Sequence, residues 1–350
     1  MSNLIRQAVC RVPGQLELRE LPMFEPAPGE LVVRVDLALT CGTDLKTWRR
    51  GRHPKFPLPT PLGHEYTGTV ERVGRGVTRF RAGDPVLAVP SAPCGSCPTC
   101  QRGLGNLCPT LSGETMAWGA FADCIRIPSH VVKTNVFHRP ANLDLRHGAL
   151  LEPLSCVVNG VSRLDLIPVH TALVMGAGPI GLLFVALLRR RGVPRVILMG
   201  KRTERLAAGE VLGAHEIVDI DAVGGLAAAE QQVRDLTDGG PCAVVECVGR
   251  TESWEQAIRL VRVGGEVLLY GGCPGGSTIA LDTTRLHYEG LTLKGAFHFT
   301  PSDVRISLDL ILQRALPLDV LVSDQIDLAD LQQGLERLSG GDGIKLAVIP

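Results

Sequence analysis

The sequence predicts an α/β protein in two parts, a β-rich region followed by a doubly wound parallel sheet. Three observations lead there. The first 150 or so residues carry short apolar runs punctuated by Gly and Pro. From Thr171 onward, apolar strands alternate with helical runs. At the start of that alternation a glycine-rich turn, Gly176-Ala177-Gly178-Pro179-Ile180-Gly181, joins a strand to a helix.

In order, Leu31 to Leu37 has strand composition, and Tyr66 to Val73 and Pro85 to Val89 resemble it. In the second part Thr171 to Met175 is a short apolar strand and Ile180 to Arg191 a helix. Arg195 to Met199, Glu216 to Asp219, Ala243 to Cys247, Gly265 to Tyr270 and Leu291 to Lys294 read as strands. The helices between them are Glu204 to Leu212, Leu226 to Thr237 and Trp254 to Leu260. Six strands with crossover helices imply one doubly wound sheet. After about Ala296 come a helix, Ser302 to Gln313, and mixed segments.

Bulk properties exclude several classes. The chain has 350 residues, enough for about two domains. Hydrophobic residues at 45% and charged residues at 21% are ordinary for a globular protein. The formal net charge is zero and no basic stripe is present, so nucleic acid is not an expected partner. The longest apolar run, Leu182 to Leu188, is too short to span a bilayer. The first residues lack a basic start and an apolar core, so a cytoplasmic protein is expected. In such a compartment, clustered members of the 11 cysteines are better read as metal ligands than as disulfides.

Cys94, Cys97, Cys100 and Cys108 form C-x2-C-x2-C-x7-C among Pro93, Gly95, Pro98 and Gly103. Four thiolates so spaced can wrap one tetrahedral ion, and a closed four-sulfur shell is a structural zinc site. A second constellation is scattered. Cys41 lies in Cys41-Gly42-Thr43-Asp44, His64 and Glu65 in Gly63-His64-Glu65, and Glu152 in Glu152-Pro153-Leu154. A thiolate, an imidazole and a carboxylate can supply the three protein ligands of a catalytic zinc with an open fourth position.

The glycine turn follows an apolar strand and opens a helix, the context of a dinucleotide fingerprint at Gly176, Gly178, Pro179, Ile180 and Gly181. An NAD site would carry an acidic residue at the end of the second strand. This chain has Gly200 there, followed by Lys201 and Arg202, with Arg205 one helical turn on. A small residue followed by cations suits a 2′-phosphate, so NADP is expected, with NAD possible. Val248, Gly249 and Gly271 follow later strands, at the end of the sheet where ligands bind.

These motifs, in this order, resemble the zinc-containing medium-chain dehydrogenases along essentially the whole chain, and most closely their polyol and sugar-alcohol branch. The resemblance implies a GroES-like catalytic domain, residues 1–155 and 297–350, with the zinc lobe at 90–110. It implies a Rossmann cofactor domain at 156–296, a cleft site with zinc on one wall and nicotinamide on the other, two zinc ions per chain, and a homodimer or homotetramer. Simple alcohol dehydrogenases have cysteine where this chain has Glu152. In the polyol branch Glu65 and Glu152 are ligands or partners of the metal's water. Thr43 becomes the hydroxyl that takes the substrate proton. Relatives often have histidine as the relay exit where this chain has Lys46, so the exit is Lys46, water or a group such as His53. Phe297 and His298 complete the cofactor set. Where the polyol branch often has an Arg-Tyr pair, this chain has His298 and Phe299, which argues for a hydroxyl compound other than sorbitol. The implied reaction is hydride transfer between a polyol, sugar alcohol or related secondary alcohol and NAD(P). A threonine, amino-alcohol, sugar-phosphate or cyclitol substrate remains open. A zinc-independent quinone or enone reductase and a non-catalytic binding protein are more distant readings.

Overall fold

The computed structural model describes residues 4–51, 57–111, 115–166 and 170–350. The chain divides into two compact units. The first comprises Met1–Ser155, His298–Gln313 and Val322–Pro350, the second Cys156–Phe297 and Arg314–Leu321. The short Arg314–Leu321 segment therefore groups with the second unit, although residues on both sides of it belong to the first.

The first unit is built on a mainly antiparallel sheet with Leu31–Leu39 at its centre. That strand pairs with Glu65–Val73, with Cys124–Ile127 and with Leu346–Ile349. The register against Glu65–Val73 shifts twice, at Val32/Val33 and Val35/Leu37. Its run of apolar residues follows from burial on both faces, with Leu31, Val33 and Ala38 fully buried among Tyr66, Val70, Phe121 and Ile125. A separate three-stranded sheet is formed by Leu4–Val12, Gln15–Pro22 and Thr60–Pro61.

The second unit is a six-stranded, all-parallel sheet. Its spatial order is Glu216–Asp219, Arg195–Gly200, Thr171–Met175, Ala243–Glu246, Glu266–Leu269, Thr292–Gly295. The order reverses beside Thr171–Met175, the switch point where such sheets open a crevice for ligands. The Pro179–Arg190 helix that follows this strand buries every residue from Gly181 to Leu188, hence its nearly continuous apolar sequence. Pro179 sits at its first position, where a missing N–H costs nothing. Among the described residues, no helix is long and apolar enough to cross a membrane.

Candidate functional site

In the first unit the four lobe cysteines converge. Their sulfurs stand 3.5 Å (Cys97–Cys100), 3.6 Å (Cys94–Cys108), 3.7 Å (Cys97–Cys108) and 4.0 Å (Cys94–Cys100) apart. Four sulfurs about 2.3 Å from a tetrahedral zinc lie roughly 3.8 Å from one another, so the spacing fits that ion. Backbone amides aim at the sulfurs as well. Cys97 N donates to Cys94 Sγ at 3.3 Å and Cys94 N to Cys108 Sγ at 3.4 Å. The amides of Ser96 and Cys97 pull the Cys94 thiol down to about 6, which prepares it as a thiolate.

The second cluster forms where strand ends meet. Leu39 is paired with Glu65, so the end of one strand and the start of its antiparallel neighbour lie side by side. Cys41 is two residues beyond the first and His64 one before the second. Register alone brings together residues more than twenty apart in sequence. Ligand atoms of Cys41, His64 and Glu65 all lie within 4.8 Å of one another.

Asp44 organises this corner. Cys41 is the N-cap of the Gly42–Arg50 helix, its Sγ accepting from Thr43 N at 3.4 Å. Asp44 Oδ2 reaches back to Cys41 N at 3.1 Å, completing a capping box. Its Oδ1 accepts from Gly63 N at 3.0 Å and stands 3.4 Å from His64 Nδ1. At that distance Nδ1 makes no hydrogen bond, but the carboxylate's charge faces the imidazole. Trp118 stacks on the His64 ring at 4.7 Å and 8°, with its indole N–H on Pro61 O at 2.7 Å. Burial alone would depress the His64 pKa, but Asp44 and Cys41 hold it well above the ordinary value. A metal binding there displaces that proton.

Behind the cluster is a buried cation. Lys345 is 1% exposed, and its Nζ donates to Glu65 Oε2 at 2.5 Å and to Thr40 O at 2.8 Å. It immediately precedes the last strand, whose Leu346 N bonds Thr40 Oγ1 at 2.9 Å. Burial opposes its charge, yet Glu65, Cys41 and Glu152 together raise its pKa. The other oxygen of Glu65, Oε1, has no hydrogen-bond partner although the residue is fully buried. An orphaned carboxylate oxygen beside a thiolate and an imidazole fits a divalent cation.

The remaining expected residues of this unit distribute unevenly. Glu152 lies in the first turn of the Leu151–Val161 helix, 7% exposed, outside the Cys41–His64–Glu65 group. Its carboxylate is instead within 4.8 Å of a ring nitrogen of His298. His298 has a left-handed backbone, φ 60°, stacks on Phe299 at 4.1 Å and meets Ser91 Oγ through Nε2 at 2.6 Å. Thr43 is half-buried and Lys46 exposed, one turn apart on the same helix. His53 lies outside the described residues.

In the second unit a cavity of about 670 Å³ opens at the switch point. Gly176, Gly178, Gly200, Lys201, Arg202, Arg205 and Val248 all line it. Gly181 is not on its wall but shapes it, because a Cβ there would sit 1.9 Å from Gly176 O. Pro179 and Ile180 begin the helix and are half-buried. Gly249 and Gly271 are buried behind the rim, with Gly249 N on the Glu246 carboxylate at 3.0 Å. Phe297 is 48% exposed at the end of this unit. Arg202 has φ 77° and is exposed, while Arg205 is partly buried, its pKa lowered by burial and by Arg202. Lys201 pairs with Asp221 at 2.5 Å.

Sequence reasoning gave no role to Asp44, Trp118, Lys345, Ser91 or the cavity residues Arg250, Glu252, Ser253 and Gln256. Lys345 had a readable signal, a lone cation inside the apolar run Ile344-Lys345-Leu346-Ala347-Val348. Trp118 and Ser91 had none.

Residues 27–135 match the family described as alcohol dehydrogenase GroES-like domain, and residues 179–313 the family described as zinc-binding dehydrogenase. The chain is 32% identical to D-altritol 5-dehydrogenase of Agrobacterium fabrum, covering 91% of each. It is 29% identical to D-xylulose reductase A of Aspergillus oryzae, covering 95% of this chain and 93% of that one. Among solved structures it resembles a zinc-binding dehydrogenase from Sinorhizobium meliloti 1021 bound to NADP, with TM-score 0.88, 30% identity and 100% of both chains covered. Folded as a mainly antiparallel unit joined to a six-stranded parallel one, and matched over nearly its full length, the chain belongs to the zinc-containing medium-chain dehydrogenases of the polyol dehydrogenase-like branch and is an alcohol/polyol dehydrogenase.

Proposed function

We propose that the protein interconverts a secondary alcohol of a polyol or sugar alcohol with the matching ketone, using NADP in preference to NAD. The observation that carries this reading is the meeting of Cys41, His64 and Glu65 within 4.8 Å, with one carboxylate oxygen left without a partner. Altritol and xylulose relatives support the substrate class, and the NADP-bound neighbour supports the cofactor.

Zinc held there supplies a Lewis acid that makes a substrate hydroxyl acidic, and NADP supplies the ring that accepts hydride. The protein's own part is orientation and proton traffic. Asp44 turns its charge toward the His64 ring and fixes the start of the helix that carries Thr43. As the carbinol C–H electrons leave as hydride, the hydroxyl proton passes to Thr43 Oγ1 while Thr43 gives its own proton onward. Lys46 shares that helix face at i+3 and is exposed, so it or adjacent water delivers the proton to solvent. Glu65 and Glu152 supply negative charge close to the metal. The lobe cysteines hold a second, structural zinc. None of the 11 cysteines is paired in a disulfide, consistent with their use as metal ligands. The active particle is a homodimer or homotetramer.

For the cofactor, Arg202 and Arg205 face one cavity where a carboxylate would mark an NAD site. The left-handed backbone at Arg202 costs about 1–3 kcal/mol, and strain of that kind collects at ligand clamps.

Steady-state kinetics on a panel of pentitols, hexitols, cyclitols, butanediol, sugar phosphates and L-threonine, each with NADP and NAD, tests the proposal. The expected result is highest kcat/KM on a polyol with NADP. Higher efficiency on L-threonine, or with NAD, would overturn the corresponding half. In the lobe, Cys97→Ser should remove one zinc per chain and lower Tm by several degrees, read by metal analysis and calorimetry. In the cofactor turn, Gly181→Ala forces a Cβ against Gly176 O and should weaken binding of either nucleotide at least tenfold by titration.

A further inference from the structure

We infer that Gln256 is a specificity-determining residue of the cofactor cavity, its side-chain amide reading the adenine base of the dinucleotide. The inference rests on the reading that the cavity at the glycine turn holds that dinucleotide.

Four residues of the Thr251–Leu260 helix are buried. Three of them, Ala257, Ile258 and Leu260, are apolar, and the fourth is Gln256. Gln256 is 5% exposed and lines the cavity at the switch point. Among the described residues its amide meets no hydrogen-bond partner, and neither of its polar atoms is sealed off. A buried primary amide needs partners for one carbonyl and two N–H groups. A ligand in the cavity can supply them. Polar neighbours cannot take that role. Ser253, one turn earlier, donates to Arg250 O at 2.9 Å and accepts from Arg250 N at 3.2 Å. Arg250 and Glu252 are exposed at the rim.

Covalent connectivity identifies the base. Arg202 and Arg205 line the same cavity, and the 2′-phosphate they suit sits on the adenosine ribose, next to the carbon that bears adenine. A cavity that takes that phosphate must take that base. Leu226 and Val248 also line it and are 53% and 40% exposed, which suits the faces of a planar ring. Adenine presents an amine that donates, with a ring nitrogen that accepts on either side of it. A glutamine amide meets such a pair with its carbonyl and one N–H, on either edge of the base. Its effect differs from that of the arginines. They separate NADP from NAD, whereas Gln256 acts on both, because both carry adenine.

The test uses the full-length, zinc-loaded protein and equilibrium titration with three probes. These are NADP, NAD and the NADP analogue with purine in place of adenine, which lacks only the exocyclic amine. The parent should bind the purine analogue about fivefold or more weakly than NADP, because the amide carbonyl is left buried and unpaired. Gln256→Met is apolar and close in size. It should weaken NADP and NAD by about fivefold or more each, and bring NADP and the purine analogue within about twofold of one another. Equal binding of NADP and the analogue by the parent would overturn the inference, and that measurement needs no variant to fold. So would a folded Gln256→Met with parental NADP affinity. Equal losses on NADP and the analogue would also defeat it, since they mark a residue that only supports the wall. Failure of the underlying reading is distinguishable, because Gly181→Ala would then leave the binding of every probe unchanged.

Discussion

Cys41→Ser should lower kcat/KM by roughly three to four orders of magnitude and leave the fold in place. A Lewis acid contributes several kcal/mol to stabilising developing negative charge. Losing about 4–5 kcal/mol of that is a factor of ~10³–10⁴. Serine is a poor zinc ligand but a good helix cap. Its hydroxyl can take over the bond from Thr43 N that Cys41 Sγ now accepts, and the Asp44 bond to the residue's amide is untouched. Loss of activity should therefore come with loss of one zinc per chain, while Tm moves by no more than a few degrees. A variant that keeps its metal and most of its turnover would show that Cys41 is only a cap. Asp44→Asn separates the second layer of the site from the first. It keeps the size of the group that links Cys41 N, Gly63 N and His64 but removes its charge. A 10–100-fold loss of zinc affinity is expected, the usual scale for an outer partner of a histidine ligand.

How far the sequence could be read depended on whether a residue's role is local. The inner parallel strands were legible because strands buried on both faces are nearly unbroken apolar runs. All six strands appear within a residue or so of the expected bounds, although the edge strands EIVD and TLKG are only partly buried. The Leu4–Val12 and Gln15–Pro22 hairpin went unread. Its second strand, QLELRELP, alternates with charges and is largely exposed. The Gly42–Arg50 helix was hidden because only Asp44, Thr47 and Trp48 face inward. Glu152-Pro153 lies in the first turn of a helix, where proline is tolerated. Motif residues at the site were recognisable because ligand chemistry restricts residue type. Lys345 stands out locally as a cation in an apolar run, but its meeting with Glu65 follows from the pairing of Leu39 with Ala347 and with Glu65, a register that no local pattern encodes.

Arg202→Ala/Arg205→Ala should cut kcat/KM with NADP by roughly 30- to 1,000-fold and change that with NAD by less than threefold. A hydrogen bond to a charged group contributes about 1.5–3 kcal/mol when desolvated. Arg202 is exposed and Arg205 half-buried, so screening brings each toward about 1–2 kcal/mol. Two such losses give about 2–4 kcal/mol, and each 1.4 kcal/mol is tenfold. The reverse exchange is harder, for a steric reason. A Cβ at Gly200 would stand 2.7 Å from Ala177 Cβ and 3.0 Å from Ala177 N, inside the glycine turn itself. An aspartate grafted there to hold ribose hydroxyls has no room unless the turn gives way. Gly200→Asp alone should weaken both nucleotides, while Ala177→Gly/Gly200→Asp should recover NAD and reject NADP by repulsion of its 2′-phosphate. The small residue at the strand end is in this view set by two demands at once, close packing on Ala177 and space for an anion between guanidiniums. Equal losses for NADP and NAD in the arginine double variant would mean that these groups only support the loop, and the preference for NADP would then need another origin.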